Sequence, residues 1–205
     1  KIPAGWSLVA EKGHIELQRY WDLEFKQPTA VWTFDESRDR LREVLREATV
    51  DQMVSDVPLG AFLSGGVHST GIVAFMREAS AHQTPTFSIG FDEQHAYHNE
   101  TPFAEAAAKA LGTKHETLIV QSHVVKLLPD LIEKLDEPLT DTSFILSYLV
   151  SELAHRHVKV ALSGLGGDEL FGGYRRYLGP LVRKTVSWIP AGVREVLGKQ
   201  LERHL

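Results

Sequence analysis

The stretch VPLGAFLSGGVHSTGIVAF, residues 57–75, decides how this chain folds. A short apolar run leads into Ser64, Gly65 and Gly66, and a segment of small and aliphatic residues follows. This order predicts a buried strand that passes into a helix through a loop suited to phosphate. The two glycines let the backbone turn tightly, so that its N–H groups and the positive end of the next helix converge. His68 stands where such a loop would carry a small residue or a metal-binding carboxylate.

The rest of the chain repeats this alternation of strands and helices. One predicted helix, TPFAEAAAKALG, ends at Gly112, and three further apolar runs are predicted to be strands: PTFSIGF, HETLIV and VKVALSG. Nearly continuous apolar strands that alternate with helices are typical of a parallel sheet covered on both faces. The predicted fold class is therefore α/β, a parallel twisted sheet of about five strands with helices on both faces.

The N-terminal residues show other patterns. Residues 6–21 alternate apolar and polar side chains around Lys12 and Gly13, which predicts a hairpin with a tight turn. The spacing of apolar residues then becomes helical, and residues 36–52 are predicted to form an amphipathic helix.

Composition excludes several classes of function. The chain has 205 residues, a net charge of −5 and no cysteine. A mildly acidic balance disfavours a dedicated nucleic-acid binder, and no apolar run approaches the about 20 residues of a membrane span. The lack of cysteine excludes disulfides and cysteine nucleophiles, and it fits a reducing compartment such as the cytoplasm. We therefore expect neither nucleic acid nor membrane among the partners.

A second glycine-rich loop, ALSGLGGDELFGGY at residues 161–174, follows the last predicted strand. Its glycines can bring the backbone close to a ligand, and Asp168 and Glu169 can hold a hard divalent cation through oxygen. The plainer alternative is a solvated helix start whose carboxylates only favour the helix dipole. Because ligands of open parallel sheets lie at the carboxyl ends of the strands, we expect both loops to contribute to one site.

Three features leave alternatives open. Ser-Gly-Gly alone is more often a plain strand-to-helix turn than a phosphate loop. Gly90, at the end of the strand PTFSIGF, could leave a flat slot for an adenine ring, which is a weak signal by itself. The polar segment DEPLTDTS, residues 136–143, fits either a substrate loop or the start of a helix.

Together these motifs resemble those of a known family. LSGGVHST is similar to the SGGxDS signature of the PP-loop ATP pyrophosphatases. The set DVPLGAFLSGG, FSIGF, DEP and VKVALSGLGGDELFGGY resembles the synthetase domain of glutamine-hydrolysing asparagine synthetases. The resemblance implies a fold like that of the adenine nucleotide alpha hydrolases and a two-step reaction. ATP adenylates a carboxylate such as aspartate, releasing pyrophosphate, and ammonia then displaces AMP to give the amide.

The resemblance also implies the roles of individual residues. ATP and magnesium would be the cofactors, with Asp168 as the magnesium ligand and with Asp168 and Glu169 as the catalytic carboxylates. His68, if protonated, would contact phosphate directly. The residues implied for pyrophosphate are Ser64, Gly65, Gly66 and Ser69. The residues implied for adenosine are Leu63, Ile89, Ser163 and Gly164, beside the slot at Gly90.

Two positions depart from the family's pattern. The family has a magnesium-binding aspartate where this chain has His68, and a glutamate implicated in forming the adenylate where it has Leu165. Imidazole is a poor substitute for oxygen around magnesium, and leucine cannot take a proton. The alternative hypothesis is therefore a non-catalytic relative that binds nucleotide weakly or serves as a scaffold. A tRNA-modifying PP-loop enzyme is disfavoured by the second loop and by the lack of a basic face.

The family pattern further implies how the chain is organised. We expect residues 1–34 to be a hairpin and linker that trail from a glutaminase domain, and residues 35–205 to be an ATP-binding synthetase domain shortened at its C-terminus. The expected partners are ATP, a small aspartate-like carboxylate and the glutaminase domain of the same longer chain, while a homodimer is left open. Without the family's C-terminal catalytic lysine, this fragment is not expected to make an amide unaided.

Overall fold

The computed structural model describes residues 1–24, 31–91, 99–120, 122–135 and 143–179. They fall into two compact units, Lys1–Leu41 and Arg42–Leu205. All of the segment DEPLTDTS except Ser143 lies outside the described residues, as does the chain beyond residue 179. None of the helices in the described ranges is both long and apolar enough to cross a membrane.

The first unit contains the predicted hairpin. Strands β1 (Trp6–Glu11) and β2 (His14–Arg19) pair antiparallel, with Leu8 opposite Leu17. Lys12 and Gly13 have φ values of 51° and 81°, the left-handed backbone that a two-residue hairpin turn of this type requires. The hairpin and its turn are therefore confirmed.

Helix α1 (Phe34–Asp51) confirms the amphipathic helix that was predicted after the hairpin. Its start is fixed by a reciprocal cap. The backbone N–H of Thr33 donates to Glu36 Oε2 at 2.8 Å, and the N–H of Glu36 donates to Thr33 Oγ1 at 3.3 Å. Each bond satisfies a donor that the first helical turn leaves without a backbone partner.

The second unit alternates strands and helices. The strands are β3 (Leu59–Phe62), β4 (Pro85–Phe91), β5 (Lys114–Val120) and β6 (Val160–Leu162). The α-helices within the described ranges are α2 (Val67–Ala79), α3 (Thr101–Leu111), α4 (Leu128–Lys134), α5 (Ser143–His155) and α6 (Gly167–Phe171). Two 3₁₀ helices, Ser122–Leu127 and Arg175–Tyr177, complete the described elements. Helix α3 ends as predicted, because Gly112 caps it with a φ of 65°.

The four strands form one parallel sheet in the order β5-β4-β3-β6. The α/β class with a parallel sheet is confirmed, and the described residues supply four strands where about five were expected. Consecutive residues of a strand point to opposite faces, so β3 shows what covers each face. Ala61 packs in one cluster with Val73 of α2 and Ala108 of α3, whereas Phe62 packs against the cluster that contains Leu153 of α5. Helices thus cover both faces.

The strand order locates the crevice of the sheet. From β3 the chain moves outward through β4 to β5, and then returns to place β6 on the other side of β3. The loops that leave the carboxyl ends of β3 and β6 therefore start from neighbouring strands, at the point where the strand order reverses. Ligands of open parallel sheets bind at this switch point.

Candidate functional site

The loops after β3 and β6 are in direct contact, as expected from the sequence. A Cβ added at Gly164 would lie 2.5 Å from the backbone nitrogen of Ser69 and 2.8 Å from the carbonyl carbon of His68. Only glycine allows the backbone of the second loop to approach the first turn of α2 this closely. The two loops therefore enclose one space at the switch point.

The loop after β3 is held by its own two serines. The hydroxyl groups of Ser64 and Ser69 are 2.9 Å apart, and the Ser64 N–H donates to Ser69 Oγ at 3.2 Å. The N–H of Gly66 donates to Ser64 Oγ at 3.3 Å. Gly65 has a φ of 82° and lies against the backbone of Phe103, so a side chain would be both strained and obstructed there. The loop is thus fixed in shape by the protein alone.

A cleft of about 280 Å³ lies between these loops, and we call it the polar cleft. It brings together eight of the residues predicted for the site: Ser64, Gly66, His68, Ser69, Ser163, Gly164, Asp168 and Glu169. Phe62, Leu165, Gly166 and Tyr174 complete its lining. Leu165 is 92% exposed, so its side chain offers the cleft an apolar surface where the family pattern has a carboxylate.

A second cleft of about 530 Å³, the apolar cleft, adjoins the first. It lies between the ends of β3 and β4 and the helix α5, and it contains the predicted residues Leu63 and Ile89. Phe62 and Ser64 line both clefts, so the two spaces adjoin. Phe87, Ser88 and Phe91 of the FSIGF motif and Ser143 of DEPLTDTS also line it. The rest of the lining comes from residues that the sequence did not single out: Glu100, Leu146, Ser147 and Val150.

The structure places three predicted adenosine contacts away from the apolar cleft. Ser163 and Gly164 line the polar cleft instead. Gly90 does not line the apolar cleft, because the Thr101 hydroxyl occupies the space where a side chain of Gly90 would stand. That hydroxyl is fixed by Asn99, whose Oδ1 also accepts the Thr101 N–H at 3.2 Å. The close approach of α3 is therefore sufficient to require glycine at residue 90, and an adenine contact there stays a prediction.

His68 is packed against the start of α6. A Cβ at Gly167 would lie 2.5 Å from Cγ and 2.7 Å from Nδ1 of the imidazole. The ring is therefore in contact with the Cα of Gly167, and any larger residue there would displace it. The side chain of His68 therefore packs one loop against the other, in addition to any contact that it makes with a ligand.

Glu169 and Tyr174 form a pair that the sequence analysis missed. The Tyr174 hydroxyl donates to Glu169 Oε1 at 2.8 Å, and this bond lowers the pKa of the Glu169 carboxyl and raises the pKa of Tyr174. Arg176 and His68 lower the pKa of Glu169 further through their charge. The sequence signal was the tyrosine that closes the FGGY run, which marks a turn but not the carboxylate that its hydroxyl reaches.

The acidic groups do not form a complete metal site by themselves. Within the described part of the chain, no three histidine or carboxylate side chains converge in a way that could hold a metal ion. Asp168 lines the polar cleft, and its Oδ1 occupies the space beside the Cα of Gly173. Magnesium commonly takes one or two carboxylates and completes its shell with phosphate oxygens and water. Asp168 fits that mode of binding, as one carboxylate beside a phosphate-bearing ligand.

A parallel sheet with paired glycine-rich loops at its switch point places this protein in the α/β class that binds ligands, nucleotides among them, at that crevice. Residues 40–205 match the model of the asparagine synthase family, and the chain belongs to that family.

Relatives of the chain carry the same family name. It is 36% identical over 200 residues to asparagine synthetase (glutamine-hydrolyzing) 1 of Bacillus subtilis (strain 168), an alignment that covers 95% of this chain and 30% of that protein. It is 32% identical over 204 residues to asparagine synthetase (glutamine-hydrolyzing) 3 of the same organism, covering 92% of this chain and 33% of the relative. The chain therefore spans about a third of the length of these curated relatives.

Among solved structures, the NH3-dependent NAD synthetase from Campylobacter jejuni subsp. jejuni (NCTC 11168) is similar, with a TM-score of 0.45 and 12% sequence identity. The superposition covers 70% of this chain and 61% of that one.

Proposed function

We propose that this chain is the ATP-binding part of a synthetase that adenylates a carboxylate such as aspartate, so that ammonia derived from glutamine can form an amide. One observation carries the proposal. An apolar cleft and a polar cleft adjoin at the switch point of the sheet and have Phe62 and Ser64 in common. A nucleoside triphosphate has the matching division, with a flat apolar base at one end and phosphates at the other. Membership of the asparagine synthase family supports this assignment.

The adenosine is assigned to the apolar cleft. Its volume of about 530 Å³ falls in the range of about 300–1,000 Å³ that is usual for small-molecule sites. Ile89 would contact the base from the end of β4, and Leu146 and Val150 would contact it from α5. Leu63 would contribute its backbone only, because its side chain is 1% exposed and packs in the cluster that contains Val73 of α2. Apolar walls of this kind bind a base by removing its faces from water.

The phosphates are assigned to the polar cleft. Ser64, Gly66 and Ser69 would hold them, because these residues line the cleft beside the positive end of the 13-residue helix α2. Magnesium held by Asp168 would supply positive charge to the leaving pyrophosphate. The protein's own contribution is positioning, since the two serines fix the loop before any ligand binds.

The nitrogen source and the remaining domains are assigned by the family pattern. The chain spans only about a third of its relatives, so a glutaminase domain elsewhere in a longer protein would supply ammonia. On this proposal, residues 1–34 are the hairpin and linker that follow that domain, and residues 35–205 are the synthetase domain.

A second candidate is a relative that binds nucleotide without forming an amide. Two observations favour it. His68 packs on Gly167 where the family pattern has a magnesium-binding aspartate, and Leu165 presents an exposed leucine in the polar cleft. Histidine cannot supply the hard oxygen that the family pattern has at residue 68, and leucine cannot supply the proton acceptor that it has at residue 165.

Release of pyrophosphate distinguishes the two candidates. This chain, joined to the further domains that the proposal assigns to it, is supplied with ATP, magnesium, ammonia and aspartate, and pyrophosphate is measured with and without aspartate. The synthetase proposal expects release that requires the carboxylate, at about 1 per second or faster if His68 and Leu165 are tolerated. ATP binding without any carboxylate-dependent release, over a set of small amino-acid carboxylates, would favour the second candidate.

A further inference from the structure

The polar cleft lacks a permanent positive charge in its walls. Among the described residues that line it, two are carboxylates, Asp168 and Glu169, and none is lysine or arginine. A di- or triphosphate that entered this space would meet negative charge on the α6 side. A cationic side chain close by would strengthen phosphate binding beyond what the backbone N–H groups and the helix end supply, because charge-assisted hydrogen bonds are the stronger ones.

Such a cation stands beside the cleft. The guanidinium carbon of Arg176 lies 4.2 Å from the ring centroid of Tyr174, a residue of the cleft lining, and 5.8 Å from the ring centroid of Tyr177. The two rings meet edge to face, with centroids 5.7 Å apart and planes at 67°. An exposed arginine usually samples many rotamers, whereas this one is stacked on aromatic rings.

The stacking leaves the guanidinium able to bind an anion. Cation–π contact uses the face of the guanidinium plane, while its N–H donors point outward along the edges. The arginine is also electrostatically coupled to the cleft, since its charge lowers the pKa of Glu169. Glu169 is fixed by the hydroxyl of the same tyrosine, at 2.8 Å.

We propose that Arg176, held on the ring of Tyr174, is an anion-binding residue that contacts the terminal phosphates of a nucleotide in the polar cleft. This inference rests on the proposed function, because it assigns the phosphates to that cleft. The planar guanidinium can donate two parallel hydrogen bonds to a phosphate, which a lysine cannot match. Tyr174 has a positioning role, because its ring holds the guanidinium and its hydroxyl holds Glu169.

The alternative is that Arg176 only balances the charge of Glu169. In that case its removal would alter stability and leave the affinity for phosphate-bearing ligands unchanged. The two roles are separated by comparing ligands with and without phosphate. Inorganic pyrophosphate, ATP and adenosine are the probes, and binding to this chain is measured by calorimetry at two salt concentrations.

We expect Arg176→Gln to weaken pyrophosphate and ATP binding about 10- to 100-fold, the range for one lost charge-assisted contact, and to leave adenosine affinity unchanged. Its pyrophosphate binding should also depend less on salt. The pyrophosphate affinity of Arg176→Lys should lie between that of the unmodified chain and that of Arg176→Gln. The matched control is Arg156→Gln, which removes the same charge from the turn that precedes β6, at the amino ends of the strands.

Two tyrosine variants test the support for the arginine. Tyr174→Phe keeps the ring and should retain most of the pyrophosphate affinity, while Tyr174→Leu removes the ring and should weaken it. If the unmodified chain binds ATP, and Arg176→Gln binds pyrophosphate as tightly as the unmodified chain does, the inference is overturned and the proposed function stands. Binding of adenosine without any binding of pyrophosphate would also overturn it. If neither ATP, adenosine nor pyrophosphate binds, both proposals fail.

Discussion

The imidazole of His68 and the Cα of Gly167 are in contact, so closely that a Cβ at residue 167 would lie 2.5 Å from the ring. The contact joins the first turn of α2 to the start of α6, which are the two elements that bound the polar cleft. The effect of a substitution at either residue should therefore depend on which residue is present at the other. A glycine without its histidine would leave the loops less firmly joined, and the histidine leaves no room for a side chain at residue 167.

Gly167→Ala should therefore destabilise the chain by about 1–3 kcal/mol, the usual cost of adding a methyl group to a packed contact. His68→Ala should relieve part of that cost, so the double variant should be more stable than the sum of the single effects predicts. Urea unfolding gives the free energy of unfolding of the unmodified chain, the two single variants and the double variant. Gly71→Ala is the control, because its added methyl group meets nothing within 4 Å beyond its chain neighbours and the backbone of its own helix, and it should stabilise α2 slightly. Strictly additive effects would show that the ring and the glycine do not interact.

His68→Asp should make ATP binding more dependent on magnesium. A carboxylate in place of the imidazole offers the ion a second hard oxygen beside Asp168. Calorimetry with ATP, with and without magnesium, measures the difference in both proteins. His155→Asp, at the far end of α5, is the control for adding a negative charge. If magnesium strengthens ATP binding equally in the unmodified chain and in His68→Asp, residue 68 does not limit the metal site.

Asp168→Asn should remove most of the magnesium-dependent part of ATP binding. The reason is that Asp168 is the carboxylate left at the phosphate end once Glu169 is engaged by Tyr174. Loss of a charged ligand should cost more than the about 1 kcal/mol of a neutral hydrogen bond. Asp130→Asn, in the first turn of α4, is the control. A lower melting temperature with unchanged ATP affinity would indicate that Asp168 only stabilises α6.

Acidification should weaken the fold through His115. Its ring is bonded to hydroxyls of the neighbouring strand, with Nδ1 2.9 Å from Thr86 Oγ1 and Nε2 3.1 Å from Ser88 Oγ. Burial lowers the pKa of His115 below its ordinary value of 6.5, against the raising effects of Glu105 and Thr86. As the pH falls, His115 is therefore protonated in the unfolded chain before it is protonated in the folded chain. The stability that the neutral ring contributes is present above about pH 6.5 and is lost as the pH falls toward the folded pKa.

The test compares the unmodified chain with His115→Gln, which keeps hydrogen-bonding capacity without titrating near neutral pH. Urea unfolding between pH 7.5 and about 5 should show a steeper loss of stability in the unmodified chain. His155→Gln, at an exposed position, should behave like the unmodified chain. A pH profile of His115→Gln that is parallel to that of the unmodified chain would contradict the prediction.

The sequence predicted what depends on local chemistry. The turn at Lys12 and Gly13, the cap at Gly112 and the loop of residues 64–66 each follow from a backbone conformation that neighbouring residues favour. The meeting of the two loops followed from a rule about parallel sheets and not from any pairwise signal.

Contacts between distant residues could not be predicted in the same way. Nothing in the sequence indicates that Thr101 fills the space beside Gly90, or that the Tyr174 hydroxyl reaches Glu169. The apolar cleft depends on α5, whose Leu146 and Val150 face the strand ends because the chain returns to β6 on the other side of β3. These features arise from tertiary packing, which places side chains according to topology and not according to spacing.

The central claim is that the two loops hold the phosphates of ATP, and Gly164→Ala tests it most directly. Its added Cβ would lie 2.5 Å from the Ser69 backbone nitrogen, so the loops must separate. Calorimetry with ATP and magnesium should show one bound ATP per unmodified chain. It should also show affinity at least about tenfold weaker in Gly164→Ala, because small displacements of a positioned site cost that much or more. Gly71→Ala should bind like the unmodified chain, and circular dichroism should show that both variants remain folded. ATP affinity in a folded Gly164→Ala equal to that of the unmodified chain, or no ATP binding at all, would contradict the claim.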